Sequence, residues 1–350
     1  MILAPEHAAS ELALPEFDAR VLLRRLAVPV LLAACAMAFV LLAGGRIHAF
    51  ADAVRRGLDV SPSWAAIAGG FEFISLAGYV VLLSLIAGRA TARVGARESA
   101  QITLAGAAAT RLLPTAGAGG VALALWSLRR AGLESRAATR TLLVFMIVLY
   151  SVFLGSIVVA GGILALGLVH SSGPTELAAV PAAIAALGIA VCLCLASRAG
   201  AEPARSRLMA GARLVGDAVA EACRLVRQRD PRLAGAIAYW AFDAAVLWAM
   251  LHAFGSSPVL PAVVLAYFVG QVANTLPIPG SVSGGMTGVL IAFGVPAELA
   301  LPSVLAYRAV AIWLPSPVAI AAVPALRSTL ARWGREDEKK ASLAAAATQA

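Results

Sequence analysis

The chain has 350 residues, of which 61% are hydrophobic and only 13% charged, and its mean hydropathy is +0.86. A soluble domain coats itself with roughly a quarter charged residues, so this composition leaves no support for a soluble enzyme or a secreted domain. The net charge of +9 gathers at the ends of long apolar runs, where it sets orientation across a bilayer rather than affinity for nucleic acid.

In chain order, residues 1–25 carry mixed charge and are held on the cytoplasmic side by Arg20, Arg24 and Arg25. A first apolar span covers 26–44. Arg24-Arg25 resembles a twin-arginine signal and Leu32-Ala33-Ala34-Cys35 a lipoprotein box. The apolar run continues to Leu42, however, and more spans follow, so this one is expected to stay uncleaved. A short amphipathic stretch, 46–59, leads to a second span at 64–88, which returns to Arg89, Arg93 and Arg97.

Segment 102–127 differs from the other spans. Basic loops flank it on both sides, and Arg111, Pro114 and Gly117-Ala118-Gly119-Gly120 interrupt it. Proline and glycine break or weaken a helix, so the segment reads as a re-entrant hairpin from the cytoplasmic face. Such backbone survives at membrane depth only against protein or a wet cavity.

Spans at 141–169 and 177–196 follow, joined around His170. The cytoplasmic loop 197–232 holds eight arginines against four acids. In it Leu208, Val215, Val219, Cys223 and Val226 recur at helical spacing, the pattern of an amphipathic helix on the inner leaflet. A span at 233–254 leads outward, and 259–294 is broken at Pro277, Pro279, Gly280, Gly284 and Gly285. A last span, 299–325, leads to a tail expected to be cytoplasmic and disordered. The division is thus 1–25, a membrane domain at 26–326, and a tail at 327–350.

The two broken segments resemble each other. Leu113-Pro114-Thr115-Ala116-Gly117 with Gly119-Gly120 matches Leu276-Pro277-Ile278-Pro279-Gly280 with Gly284-Gly285. The spans before them match as well: Ala66-Ile67-Ala68 with Phe71-Glu72, against Ala236-Ile237-Ala238 with Phe242-Asp243. The charge rule orients the two halves oppositely. The expected fold is therefore an all-α polytopic helix bundle with two re-entrant hairpins in an inverted repeat, a layout that places substrate near the midplane.

Four ionisable residues fall inside the apolar segments: Glu72, Arg111, Asp243 and Arg308. Each costs about 2.5–3.5 kcal/mol at a helix centre on insertion scales, so each needs a partner or water. Two readings stand side by side. The charges form two buried ion pairs, or they line a polar cavity in which arginines hold a lipid phosphate and acids hold a cationic head group or a coupling proton. Arginine's planar fork suits phosphate, and the half-helix N-termini after the Gly-Gly turns would add backbone donors. Gln271, Asn274, Thr110, Thr275 and Tyr307 are further candidates for the lining, and Asn274 takes the place of Arg111 in the repeat. Four scattered cysteines and four scattered histidines show no metal spacing and no nucleophile–base pair. No catalytic residue, metal site or cofactor is therefore expected.

Taken together, Leu112-Leu113-Pro114, Gly119-Gly120, Leu128-Arg129-Arg130-Ala131-Gly132, Trp240 with Asp243, Leu276-Pro277-Ile278-Pro279-Gly280, Gly285-Met286 and Ala306-Tyr307-Arg308 with Leu314-Pro315 resemble the lysylphosphatidylglycerol synthase transmembrane region. The likeness runs from about residue 20 to 328. It implies a flippase-like domain of the bacterial plasma membrane, with both termini cytoplasmic, that translocates or binds phospholipids, expected to be anionic. The alternative is a non-transporting scaffold for a glycosyltransferase or lipid-modifying enzyme. No aminoacyl-transferring domain follows the last span in this sequence, so the resemblance implies a stand-alone actinobacterial-type member. The second turn, Ser281-Val282-Ser283-Gly284-Gly285, is shorter than the family's usual one and lacks its acid, so the family's substrate is not carried over.

Overall fold

The computed structural model describes residues 60–112, 118–197, 207–275 and 280–349, and every regular element among them is a helix. The first span, the N-terminal segment and the breaks Pro114, Gly117, Pro277 and Pro279 lie outside the described residues. Five stretches are long and apolar enough to cross a membrane: Pro62–Ala90, Ser135–Ala165, Thr175–Ser197, Pro231–Ala253 and Ala297–Ala347. In hydrocarbon, every backbone N–H and C=O must be satisfied within the chain, so these apolar runs close on themselves as helices.

Helix α1 (Pro62–Ala90) starts with Pro62 in its first turn, where the missing N–H costs nothing. It packs most extensively on α7 (Ala234–Ala253). The two run antiparallel: Trp64 meets Trp248 with ring centroids 6.2 Å apart, Phe71 meets Phe242 at 5.6 Å, and Gly78 meets Gly235. A Cβ on Gly78 would lie 2.6 Å from the Gly235 carbonyl oxygen, so only glycine allows this crossing. Helices inside a membrane lack a hydrophobic drive to associate, and close approach at small residues supplies dispersion contact instead.

Each broken segment forms two short helices folded onto one another. The first pair is α2 (Ala96–Leu112) and α3 (Ala118–Arg130). Gly120 rests against the Gly106 backbone, and its N–H donates to Thr110 Oγ1 at 3.1 Å. After α4 (Ser135–Ala165), α5 (Thr175–Ser197) and α6 (Arg207–Arg227), the second pair is α8 (Leu260–Val272) and α9 (Ser281–Ala292). Here Gly285 rests against Gly270, and Ser281 Oγ donates to the Ala273 carbonyl at 2.8 Å. Gly280 caps α9 at φ 81°, a left-handed conformation that glycine adopts without steric cost. Thus a glycine pair and one hydroxyl hold each hairpin shut.

Three features depart from the sequence reading. The expected last span is two helices, α10 (Ala297–Trp313) and α11 (Ser316–Gln349), because Pro315 has no N–H to carry the ladder across. The expected disordered tail is instead the continuation of α11. Leu326, Leu330 and Trp333 are buried, Thr329 Oγ1 donates to Gln101 Oε1 at 2.9 Å, and Asp337 pairs with Arg93. Asp337 and Arg332 of that segment therefore have partners just before α2, at Arg93, and in its first turn, at Glu98. Finally, α6 buries Ala218, Val219, Ala222 and Leu225 against the bundle and leaves Val226 exposed. Its inner face is thus rotated from the one read by valine spacing, since alanines, which allow closer packing, line the contact with α4 and α5.

Candidate functional site

A cavity of about 550 Å³ opens among α1, α2, α3, α4, α7, α8 and α10. Of the residues singled out from sequence, Glu72, Asp243, Asn274, Tyr307 and Arg308 all line it, together with Thr110 and Gln271. Arg111 belongs to α2, but its side chain lies outside the described residues. The cavity therefore gathers residues from both hairpins and from the two long helices that precede them.

Asp243 is the best-defined node. Its carboxylate accepts from the Tyr267 hydroxyl on one oxygen and from the Tyr307 hydroxyl, at 3.2 Å, on the other. Tyr307 in turn accepts from Gln271 Nε2 at 3.2 Å. One carboxylate thus ties α7, α8 and α10 together through buried phenols. An acid at this depth is costly unless it is hydrogen-bonded, and these two phenol donors meet part of that need. Asp243 and Glu72 are both buried, whereas Arg308 is half-buried.

The rest of the wall is aromatic and hydroxylic. Tyr79, Tyr150 and Tyr239 line the cavity, with Tyr79 and Tyr239 rings 5.2 Å apart and Tyr239 and Trp240 4.7 Å apart. Ser75 Oγ donates to the Tyr239 carbonyl at 2.8 Å, and Trp240 Nε1 to the Leu149 carbonyl at 2.8 Å. Sequence reasoning missed these tyrosines, although helical spacing carried the signal. Ser75 and Tyr79 stand three and seven residues after Glu72, and Tyr239 stands four before Asp243, so each falls on its acid's face.

Chemically, the described lining offers two carboxylates, one guanidinium, several phenols and aromatic faces. Such a wall can hold a zwitterionic group, its anion on arginine and its cation on carboxylates and ring faces. Of the backbone donors expected at the start of α3, the Gly120 N–H is already engaged by Thr110. Among the described residues, no three His, Cys, Asp or Glu side chains cluster as a metal site would need.

Compared with known proteins, residues 17–319 match the family model described as the lysylphosphatidylglycerol synthase TM region. No curated protein matches the chain. The matched range takes in every cavity residue described above and the first span, and it ends within the first turn of α11.

Proposed function

We propose that this chain, which belongs to the lysylphosphatidylglycerol synthase TM region family, binds the head group of a membrane phospholipid in its central cavity and carries it between leaflets. The observation that supports this reading most is the convergence of Glu72, Asp243 and Arg308 on one cavity inside an apolar bundle. Burying three ionisable groups costs several kcal/mol on insertion scales. If the charges served only to hold the bundle, a compact pair would do, with no cavity of head-group size beside it. The acids and tyrosine faces suit an amine, and Arg308 suits the phosphate.

The paired hairpins support an inverted repeat. The Gly106–Gly120 contact in one corresponds to Gly270–Gly285 in the other, and Phe71 and Phe242, equivalent in the sequence repeat, touch each other. In this arrangement the bundle lies in the bacterial inner membrane with both termini cytoplasmic, the first hairpin entering from inside and the second from outside. The protein's own residues bind, orient and shield the head group, and no bond is made or broken.

The test is transbilayer movement of fluorescent phospholipids in proteoliposomes, wild type against Arg308→Ala. We expect movement above that of empty vesicles, lost in the variant at unchanged expression and melting temperature. Equal rates in protein-containing and empty vesicles, across anionic and zwitterionic lipids, would end the translocase reading.

A further inference from the structure

Part of the cavity's lining is exposed. Most of its lining residues are buried or half-buried, among them Leu142, Phe145 and Leu149 on α4. Three are exposed: Val121 on α3 at 41%, Tyr150 on α4 at 48%, and Asn274 just beyond α8. Tyr150 lies near the middle of Ser135–Ala165, roughly 22 Å along the helix at 1.5 Å per residue. Val121 and Asn274 each lie within a few residues of a hairpin break. Helix α3 packs on α2 and α4, and the second hairpin packs on α4 through α8, so α4 touches both hairpins.

We infer that a lateral mouth, bordered by Val121, Tyr150 and Asn274, opens from the cavity into the hydrocarbon of the bilayer, and that the acyl chains of a phospholipid lie in it while the head group sits inside. The inference about the chains rests on the head-group reading above; the opening itself does not. Size supports it. A cavity of about 550 Å³ falls within the ~300–1,000 Å³ of small-molecule sites, enough for a head group but not for a head group with two chains. The chains must then leave the cavity, and an exit into hydrocarbon spares their apolar surface from water. The rim has matching chemistry. Val121 is aliphatic, and Tyr150 joins an apolar ring to a polar phenol. Ring contacts hold Tyr150 in place, at 5.7 Å from Phe153 and 6.0 Å from Trp240.

The experiment uses the full chain in liposomes, with a nitroxide on Val121→Cys in a background whose native cysteines are serine. Relaxation by oxygen, which partitions into lipid, is compared with relaxation by a nickel chelate, which stays in water. At a mouth joining a wet cavity to hydrocarbon, both reagents reach the label. At Val159, 61% exposed on the neighbouring helix α4, only oxygen does. Oxygen alone at Val121, or neither reagent, would overturn the mouth.

A second variant, V121W, puts an indole in the mouth. It is expected to abolish movement of two-chain phospholipids while glycerophosphoethanolamine, a head group without chains, still binds. Unimpaired movement in V121W would remove the chains from this route. If both relaxants reach Val121 but the wild type moves no lipid, the mouth stands and the translocase reading falls.

Discussion

At the scale of single residues, the phenols around Asp243 define how an acid survives in this bundle. Tyr307 both donates to Asp243 and accepts from Gln271, so Tyr307→Phe removes two hydrogen bonds and leaves a buried carboxylate under-satisfied. A loss of about 1–3 kcal/mol is expected, read as a lowered midpoint in thermal unfolding in detergent; an unchanged midpoint would mean that water replaces the hydroxyl. Outside the bundle, Asp230 caps the short 3-10 turn before α7. The Arg232 side chain, then its backbone N–H, and more weakly Arg89, hold its carboxyl down at about 2. A depressed carboxyl contributes above its unfolded pKa of ~3.9 and loses that contribution as pH falls towards the folded value. An NMR titration of Asp230 should therefore show ionisation persisting below pH 3, and a midpoint near 4 would contradict the pairing. The acids and Arg308 were legible in the sequence because charges inside apolar runs stand out. The tyrosines were not, since a phenol is ordinary in a membrane helix until its spacing from an acid is measured.

At the scale of elements, glycine placement decides what packs. The Gly78–Gly235 crossing admits no Cβ, so Gly78→Leu should cost about 1–3 kcal/mol through overpacking and lower the yield of folded protein. Normal yield and midpoint would show that the seam can open freely. Both hairpins were legible as breaks because proline and glycine interrupt otherwise apolar runs. What joins their arms was not, because Thr110 and Ser281 look like any other small polar residue until the arms fold together. The tail was misread for a related reason: mixed charge reads as solvated loop when its partners, Arg93 and Glu98, lie more than 200 positions earlier. With Arg93 paired to Asp337 and Glu98 to Arg332, Asp337→Lys should loosen the end of α11 and raise hydrogen exchange there. Unaltered exchange would leave burial of Leu330 and Trp333 as the whole of the attachment.

At the scale of the whole molecule, charge sets which way a bundle faces, and the expectation that α6 lies on the cytoplasmic side can be checked directly. A single cysteine at Arg213, in a cysteine-free background, should resist a membrane-impermeant maleimide in intact cells and react after lysis; labelling from outside would invert the topology. Four of the described long helices, α1, α4, α5 and α7, could be read from apolar runs in the sequence, whereas the meeting of α1, α4 and α7 around one cavity could not, because contact between α1 and α7 joins residues about 170 apart. That contact also has mechanical character. At one end, two glycine backbones touch and can come no closer; at the other, Trp64, Trp248 and the His252 ring fill the space between the helices. A rod pinned at one end moves most at the other. A few degrees of swing about Gly235, in the first turn of α7, would scarcely disturb that end of the helix and would displace Trp248, roughly 20 Å along it at 1.5 Å per residue, by an ångström or more, so α7 has the form of a lever with its short arm at the glycines.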